Sequence, residues 1–275
     1  MTGGIIAALA AVVVGTWNGN WFPSGRAEHR AHPDVEEATS IAAAKMLASG
    51  LAKIDPSGTN DVVLCLHEMR GPRAASNLVA RIGRRGLRVV SVSGYRRRDR
   101  FDQQQDAIAT TLPVVSASWS KWKVAGKETP PRGFAFASVV TGHSVTANVY
   151  AVHFKSNYGA TTPELRALNR AKRARAAAEL VAIDKGAHVI VAGDMNADKW
   201  RKEFAEERLF TILEKAGFDN PLAQLPAEAR GTHPSTSYGD SALDYVFVRG
   251  FKSRRPTIVP NDGLSDHYAL FVELE

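Results

Sequence analysis

Disulfide bonding is excluded at once, because the 275 residues contain a single cysteine, Cys65. It sits inside the apolar run Val62-Val63-Leu64-Cys65-Leu66, where a thiol acts as a small buried hydrophobe rather than a nucleophile. Lack of disulfides permits a reducing compartment without requiring one. A membrane-spanning run is lacking too. Ile5 to Val14 is apolar but falls short of the roughly 20 residues a spanning helix needs. It also lacks the basic leader and clear cleavage site of a secretory signal. Localisation is left between the cytoplasm and export with a trimmed signal segment. No Pro/Gly/Ser-rich linker, low-complexity tract or repeat divides the chain, so residues 1–275 read as one domain. No protein partner is evident.

What is present is an ordinary core-forming composition, 44% hydrophobic and 23% charged. Lysine and arginine outnumber aspartate and glutamate by 35 to 28, a formal net charge of +7. Such a balance favours polyanions, meaning nucleic acid or an anionic surface, although solvated basic side chains alone also produce it.

Apolar runs and their breaks predict an alternation of strands and helices. Ala11 to Thr16 reads as a buried strand, and Asp34 to Leu51 as a helix with Val35, Ala38, Ile41, Ala42 and Met46 near helical spacing. Val62 to Leu66 is a second buried strand, followed by a helix from Arg73 to Arg84. Leu87 to Val92, Gln105 to Thr110, Phe134 to Val140 and Val145 to Val152 read as strands whose spacing suits antiparallel pairs. Pro163 to Ile183 is a long basic helix with proline in its first turn. Val189 to Ala192 is a strand, Trp200 to Ala216 a helix, and Leu243 to Val248 and Tyr268 to Glu273 complete the set. The expected class is α/β, with two mixed, mainly antiparallel sheets packed face to face and helices outside.

Polar clusters stand at the ends of these runs: Thr16-Trp17-Asn18, Leu66-His67-Glu68, Val152-His153-Phe154, Gly193-Asp194-Met195-Asn196, Leu243-Asp244-Tyr245 and Ser265-Asp266-His267. Glu68 follows a buried strand, and hard divalent cations prefer carboxylate and water oxygens; a solvated strand-end glutamate is the plainer alternative. Asp194 and Asn196 are two apart in an extended segment and share a side, suiting them to orient a water and donate to a phosphoryl oxygen, or to form a simple Asx turn. Asp244 and His267 suggest a carboxylate that fixes an imidazole tautomer and raises its basicity.

As a set, in this order from Thr16 to His267, these motifs resemble the endonuclease/exonuclease/phosphatase superfamily, the deoxyribonuclease-I-like fold. The resemblance implies a four-layer α/β sandwich and a Mg²⁺- or Mn²⁺-dependent phosphoesterase. It assigns Asn18 and Glu68 to the metal site with Asp266 near it, and His153 to phosphate contact. Asp194 and Asn196 take water orientation and transition-state stabilisation, and Asp244 partners the base His267. Met195 replaces an aromatic residue common in the family, and His67 stands where a glutamine is common.

Substrate class is read from basic and aromatic residues. Arg96, Arg97 and Arg98 form a candidate phosphate-gripping loop, and Trp119 and Trp122 interleave with lysines as candidate base-stacking surfaces; core packing is the alternative for the two indoles. Arg166, Arg170, Lys172, Arg173 and Arg175 read as a solvated helix face. The leading expectation is a metal-dependent nuclease acting on nucleic acid, with DNA favoured. The alternatives are a phosphatase or phosphodiesterase for lipid headgroups or inositol phosphates, and a nucleic-acid-binding protein without catalysis.

Overall fold

In a computed structural model, residues 11–24, 33–97, 100–142, 144–236 and 239–275 are described. The first half runs β1 (Val12–Phe22), α1 (Pro33–Ile54), β2 (Asp61–Met69), α2 (Pro72–Ile82), β3 (Arg88–Val92), β4 (Arg96–Arg97), β5 (Arg100–Phe101) and β6 (Gln105–Thr110). The second runs β7 (Val114–Lys121), β8 (Gly133–Val140), β9 (Thr146–His153), α3 (Pro163–Ile183), β10 (Val189–Asp194), α4 (Leu209–Lys215), β11 (Asp244–Arg249), β12 (Ser253–Val259) and β13 (Ala269–Leu274). A six-stranded sheet has the order β12-β13-β1-β2-β6-β3, a five-stranded sheet the order β11-β10-β9-β8-β7, and β4 and β5 pair as a small hairpin.

Period-two alternation explains the layering. In β1 and β2, Val12, Val14, Val63 and Cys65 face the five-stranded sheet and join its core, whereas Val13, Trp17, Val62, Leu64 and Leu66 face the opposite way and pack with Leu47 of α1 and Leu78 of α2. Both faces are therefore buried, which is why these strands read as unbroken apolar runs. Each large aliphatic buried this way contributes about 1.5–3 kcal/mol. Helix α2 buries Ala75, Leu78, Val79 and Ile82, one stripe at helical spacing. Gly50 lets α1 approach β13, since a Cβ there would lie 2.3 Å from Phe271 Cε2. On the other side, Ala176, Ala177 and Leu180 of α3 join Leu209 and Leu213 of α4 over the five-stranded sheet. The result is the α/β sandwich, helices outside two mixed sheets.

Each sheet holds one parallel pair, β1 with β2 and β9 with β10; every other pairing is antiparallel. Parallel neighbours need a crossover, supplied by α1 in the first sheet and α3 in the second. The carboxyl ends of those four strands emerge side by side.

Four strands and one break go beyond the expected elements. β7 and β12 lie at sheet edges, and β4 and β5 are two-residue strands in the stretch expected as an arginine loop. The helix expected from Trp200 to Ala216 is instead a short 3₁₀ turn at Lys202–Phe204 and α4 at Leu209–Lys215. Glu206 and Glu207, between them, reach Arg170 and Arg173 of α3, so tertiary pairing overrides local helix propensity. Among the described residues no helix is long and apolar enough to cross a membrane.

Candidate active site

Asn18 near the end of β1, Glu68 at the end of β2, His153 ending β9 and Asp194 ending β10 are all buried where the parallel pairs terminate. Asn18 Nδ2 donates to Asp194 Oδ2 at 3.0 Å and reaches Glu68 Oε1 at 3.4 Å, so one amide spans two carboxylates. The Trp21 backbone N–H donates to Glu68 Oε2 at 3.2 Å. His153 Nε2 faces the same two acids, 3.7 Å from Glu68 and 3.5 Å from Asp194. Both exceed hydrogen-bonding range, and His153 Nδ1 is buried with no partner among the described residues. Asn196 closes the group, its backbone N–H donating to Asp194 Oδ1 at 2.7 Å and its Nδ2 to Oδ2 at 2.9 Å.

The backbone is bent to achieve this. Glu68 and Asn196 have φ of 56° and 50°, left-handed conformations that cost a non-glycine residue energy and concentrate at functional sites. Gly193 lets the sheets close, because a Cβ there would stand 1.9 Å from the Val152 carbonyl oxygen and 2.8 Å from His67 Cε1.

His267 arrives from the segment before β13. Its Nδ1 stands 2.7 Å from Asp244 Oδ2, leaving Nε2 directed toward Asp194 Oδ2 at 3.8 Å. The turn carrying it is clamped to β1: Ser265 Oγ donates to the Asn18 carbonyl at 2.7 Å, and Trp17 Nε1 donates to the His267 carbonyl at 3.1 Å. Asp244 is oriented in turn by the Thr232 hydroxyl, which donates to the same Oδ2 at 2.8 Å.

Burial and crowding set the protonation of these groups. Burial raises Glu68 above the usual carboxylate range. Burial also lifts Asp194 to about 7, His267 opposing and Asp244 adding to the shift. Burial lowers His153 well below an ordinary imidazole, with Arg132 adding to the effect. For His267 burial acts downward, but the carboxylates of Asp244 and Asp194 win and raise it to about 10.

The sequence profile of the Endonuclease/Exonuclease/phosphatase family matches residues 15–267, from Gly15 in β1 through to His267. The chain belongs to the endonuclease/exonuclease/phosphatase family. Solved structures of this fold include humanized D. rerio TDP2, with 15% identity and a TM-score of 0.64 over 96% of this chain and 99% of that one. A family protein from Leptotrichia buccalis C-1013-b aligns at 12% identity and a TM-score of 0.66, covering 96% and 100%. Sphingomyelinase C from Streptomyces griseocarneus aligns at 20% and 0.60, covering 96% and 99%. At these identities the likeness carries the fold. No curated protein matches the chain by sequence.

The remaining candidates divide. Asp266 lies next to His267, its side chain 53% exposed and 3.9 Å from His233 Nε2. Arg96 is exposed in the β4–β5 hairpin. Arg97 has its backbone in that hairpin; its side chain, and Arg98 entirely, lie outside the described residues. Trp119 is 41% exposed, edge-on to Tyr95. Trp122 corrects the expectation of a base-stacking surface. It is 5% exposed and packed against Phe134 and Phe154, so its faces are spent on the core. On α3, Arg170, Arg173 and Arg175 pair with Glu206, Glu207 and Glu128, so much of that helix's charge is balanced locally.

Several site residues carry no strand-end signal and were missed. Arg132 donates to the His153 and Phe154 carbonyls and to Gln104 Oε1 at 2.9 Å, and its positive charge favours ionised Glu68. His67, beside Glu68, is a buried cross-brace: Nδ1 meets Asp106 Oδ1 at 2.9 Å and Nε2 meets Thr16 Oγ1 at 3.1 Å, while Tyr95 Oη donates to Asp106 at 3.1 Å.

Proposed function

We propose that the chain is a divalent-metal-dependent phosphodiesterase that hydrolyses nucleic acid, DNA being the leading substrate. One observation carries the reading. A buried Asp244–His267 pair directs Nε2 toward Asp194, in a site shared with Glu68, Asn18, His153 and Asn196. Family membership over residues 15–267 supports it.

The donor set fits a hard cation. Two buried carboxylates, Glu68 and Asp194, are both raised by burial, an unfavourable state that a dication offsets, and they supply the oxygen ligands such an ion prefers. Glu68 and Asn18 would hold Mg²⁺ or Mn²⁺, with Asp266 at the rim. When bound, the ion neutralises charge on the phosphoryl and leaving oxygens and offsets the carboxylate field that keeps His267 protonated.

The protein's own groups divide the remaining work. Asp244 holds His267 in the tautomer whose Nε2 accepts a proton from water. Asp194 positions that water for in-line attack on phosphorus. Asn196 Nδ2 and neutral His153 stabilise the charge that grows on the phosphoryl oxygens. Exposed Arg96 and Trp119 support a nucleic-acid substrate, one by phosphate contact and one by stacking.

The deciding assay incubates the protein with plasmid, linear and single-stranded DNA, RNA, sphingomyelin and a small phosphodiester, in Mg²⁺, in Mn²⁺ and in EDTA. Metal-dependent loss of DNA is the expected result. Turnover confined to the lipid or the small ester replaces the nucleic-acid reading, and binding without cleavage in any metal removes the catalytic one.

A further inference from the structure

Above the oxygen-lined floor of the site, donors of another kind gather at its mouth. His233 Nε2 stands 3.9 Å from Asp266 Oδ2, and the His233 ring meets His267 edge-on with centroids 4.8 Å apart. One donor atom from each of the three residues lies within 4.8 Å of those of the other two. The frame around them is fixed. His233 forms a two-way backbone bridge with Ser241, at 2.9 and 3.0 Å, the neighbouring Thr232 is bonded to Asp244, and the Ser265–His267 turn is clamped to β1.

Two imidazoles and one carboxylate form a donor set for borderline ions such as Zn²⁺ or Co²⁺, whereas Mg²⁺ prefers oxygen. With metal bonds of about 2 Å, tetrahedral donors sit roughly 3.3 Å apart, so donors now as far as 4.8 Å apart must close by up to about 1.5 Å. His267 is already braced for the role. Its Nδ1 is held by Asp244, the carboxylate–histidine arrangement that aims the second nitrogen of a metal-ligating imidazole.

We propose that His233, Asp266 and His267 form a transition-metal site at the mouth, sharing the rim residue Asp266 with the oxygen site centred on Glu68, and that an ion there silences the enzyme by occupying Nε2 of His267. The silencing rests on the role of His267 given above; the binding does not.

The test titrates Zn²⁺ by calorimetry into the intact protein with Mg²⁺ saturating the oxygen site, and records the visible spectrum with Co²⁺. The wild type binds one ion and gives tetrahedral Co²⁺ bands. His233→Ala weakens Zn²⁺ by at least about tenfold and loses the bands. Its Zn²⁺ inhibition constant, measured against its own zinc-free rate, rises in parallel. Asp266→Asn, on an exposed turn, repeats the comparison if His233→Ala melts early. Equal Zn²⁺ affinity in wild type and both variants overturns the site. Zn²⁺ bound through His233 with no loss of rate keeps the site and overturns His267 as the base.

Discussion

His267 Nδ1 lies 2.7 Å from Asp244 Oδ2, and the pair is shut away from solvent. That oxygen also accepts the Thr232 hydroxyl, while Asp244 Oδ1 is buried with no partner. The carboxylate is thus held through one oxygen by two donors, and the imidazole takes its orientation from it. His267→Ala should lower kcat by about 10²–10⁴; the variant still folds, because Asp244 keeps the Thr232 hydroxyl, but at a lower melting temperature, because the buried carboxylate loses its second donor. Thr232→Val strips a hydroxyl that also accepts the Leu243 and Asp244 N–H groups. It should cost about 1–3 kcal/mol of stability and reduce kcat more than it changes KM. Thr232→Ser should restore both. Urea melts and steady-state kinetics check this, and full activity in His267→Ala would end the base assignment.

Metal affinity should depend on pH with a defined sign. Asp194 is raised to about 7, so below that pH it keeps a proton that an ion must displace; above it, the carboxylate is free to balance the ion's charge. Mg²⁺ should therefore bind about tenfold more tightly at pH 8 than at pH 6, releasing close to one proton at pH 6 and almost none at pH 8. Calorimetry in two buffers of different ionisation enthalpy counts that proton. A flat affinity across the range would contradict it.

Arg173 corrects the reading of this stretch of α3 as a solvated face. It is fully buried, paired with Glu207, and it donates to the Lys155 carbonyl at 2.6 Å, tying down the loop after His153. Removing one member of a buried pair strands the other charge, so Arg173→Ala should cost about 3–5 kcal/mol. Denaturant titration measures the loss. A change below about 1 kcal/mol would match a solvated pair instead.

What the sequence reveals follows from how each residue is held. Asn18, Glu68, His153 and Asp194 end strands buried on both faces, so each appears as a polar break after an apolar run. Their convergence needs no fold beyond adjacent parallel strand ends. Arg132, Gln104, Thr232 and His233 sit in loops, where a polar residue is unremarkable until the chain folds. β7 does alternate, Val115, Ala117 and Trp119 with Ser116, Ser118 and Ser120, but the run carries little apolar bulk because most of Val114–Lys121 is exposed at a sheet edge. β12 carries Arg254, Arg255 and Pro256, and proline is tolerated there only because an edge strand can forgo a donor.

Trp119 and Trp122, three residues apart, should separate substrate contact from packing. Trp122 fills the core against Phe134 and Phe154, so Trp122→Ala should cost about 3–5 kcal/mol of stability. Trp119 keeps 41% of its surface in solvent. Trp119→Ala should leave the fold close to wild type and weaken single-stranded DNA binding by about 1–3 kcal/mol. Anisotropy in EDTA, where cleavage is blocked, measures that loss directly. Unchanged binding in Trp119→Ala would move the nucleic acid off this edge of the five-stranded sheet and leave Arg96 to be tested alone.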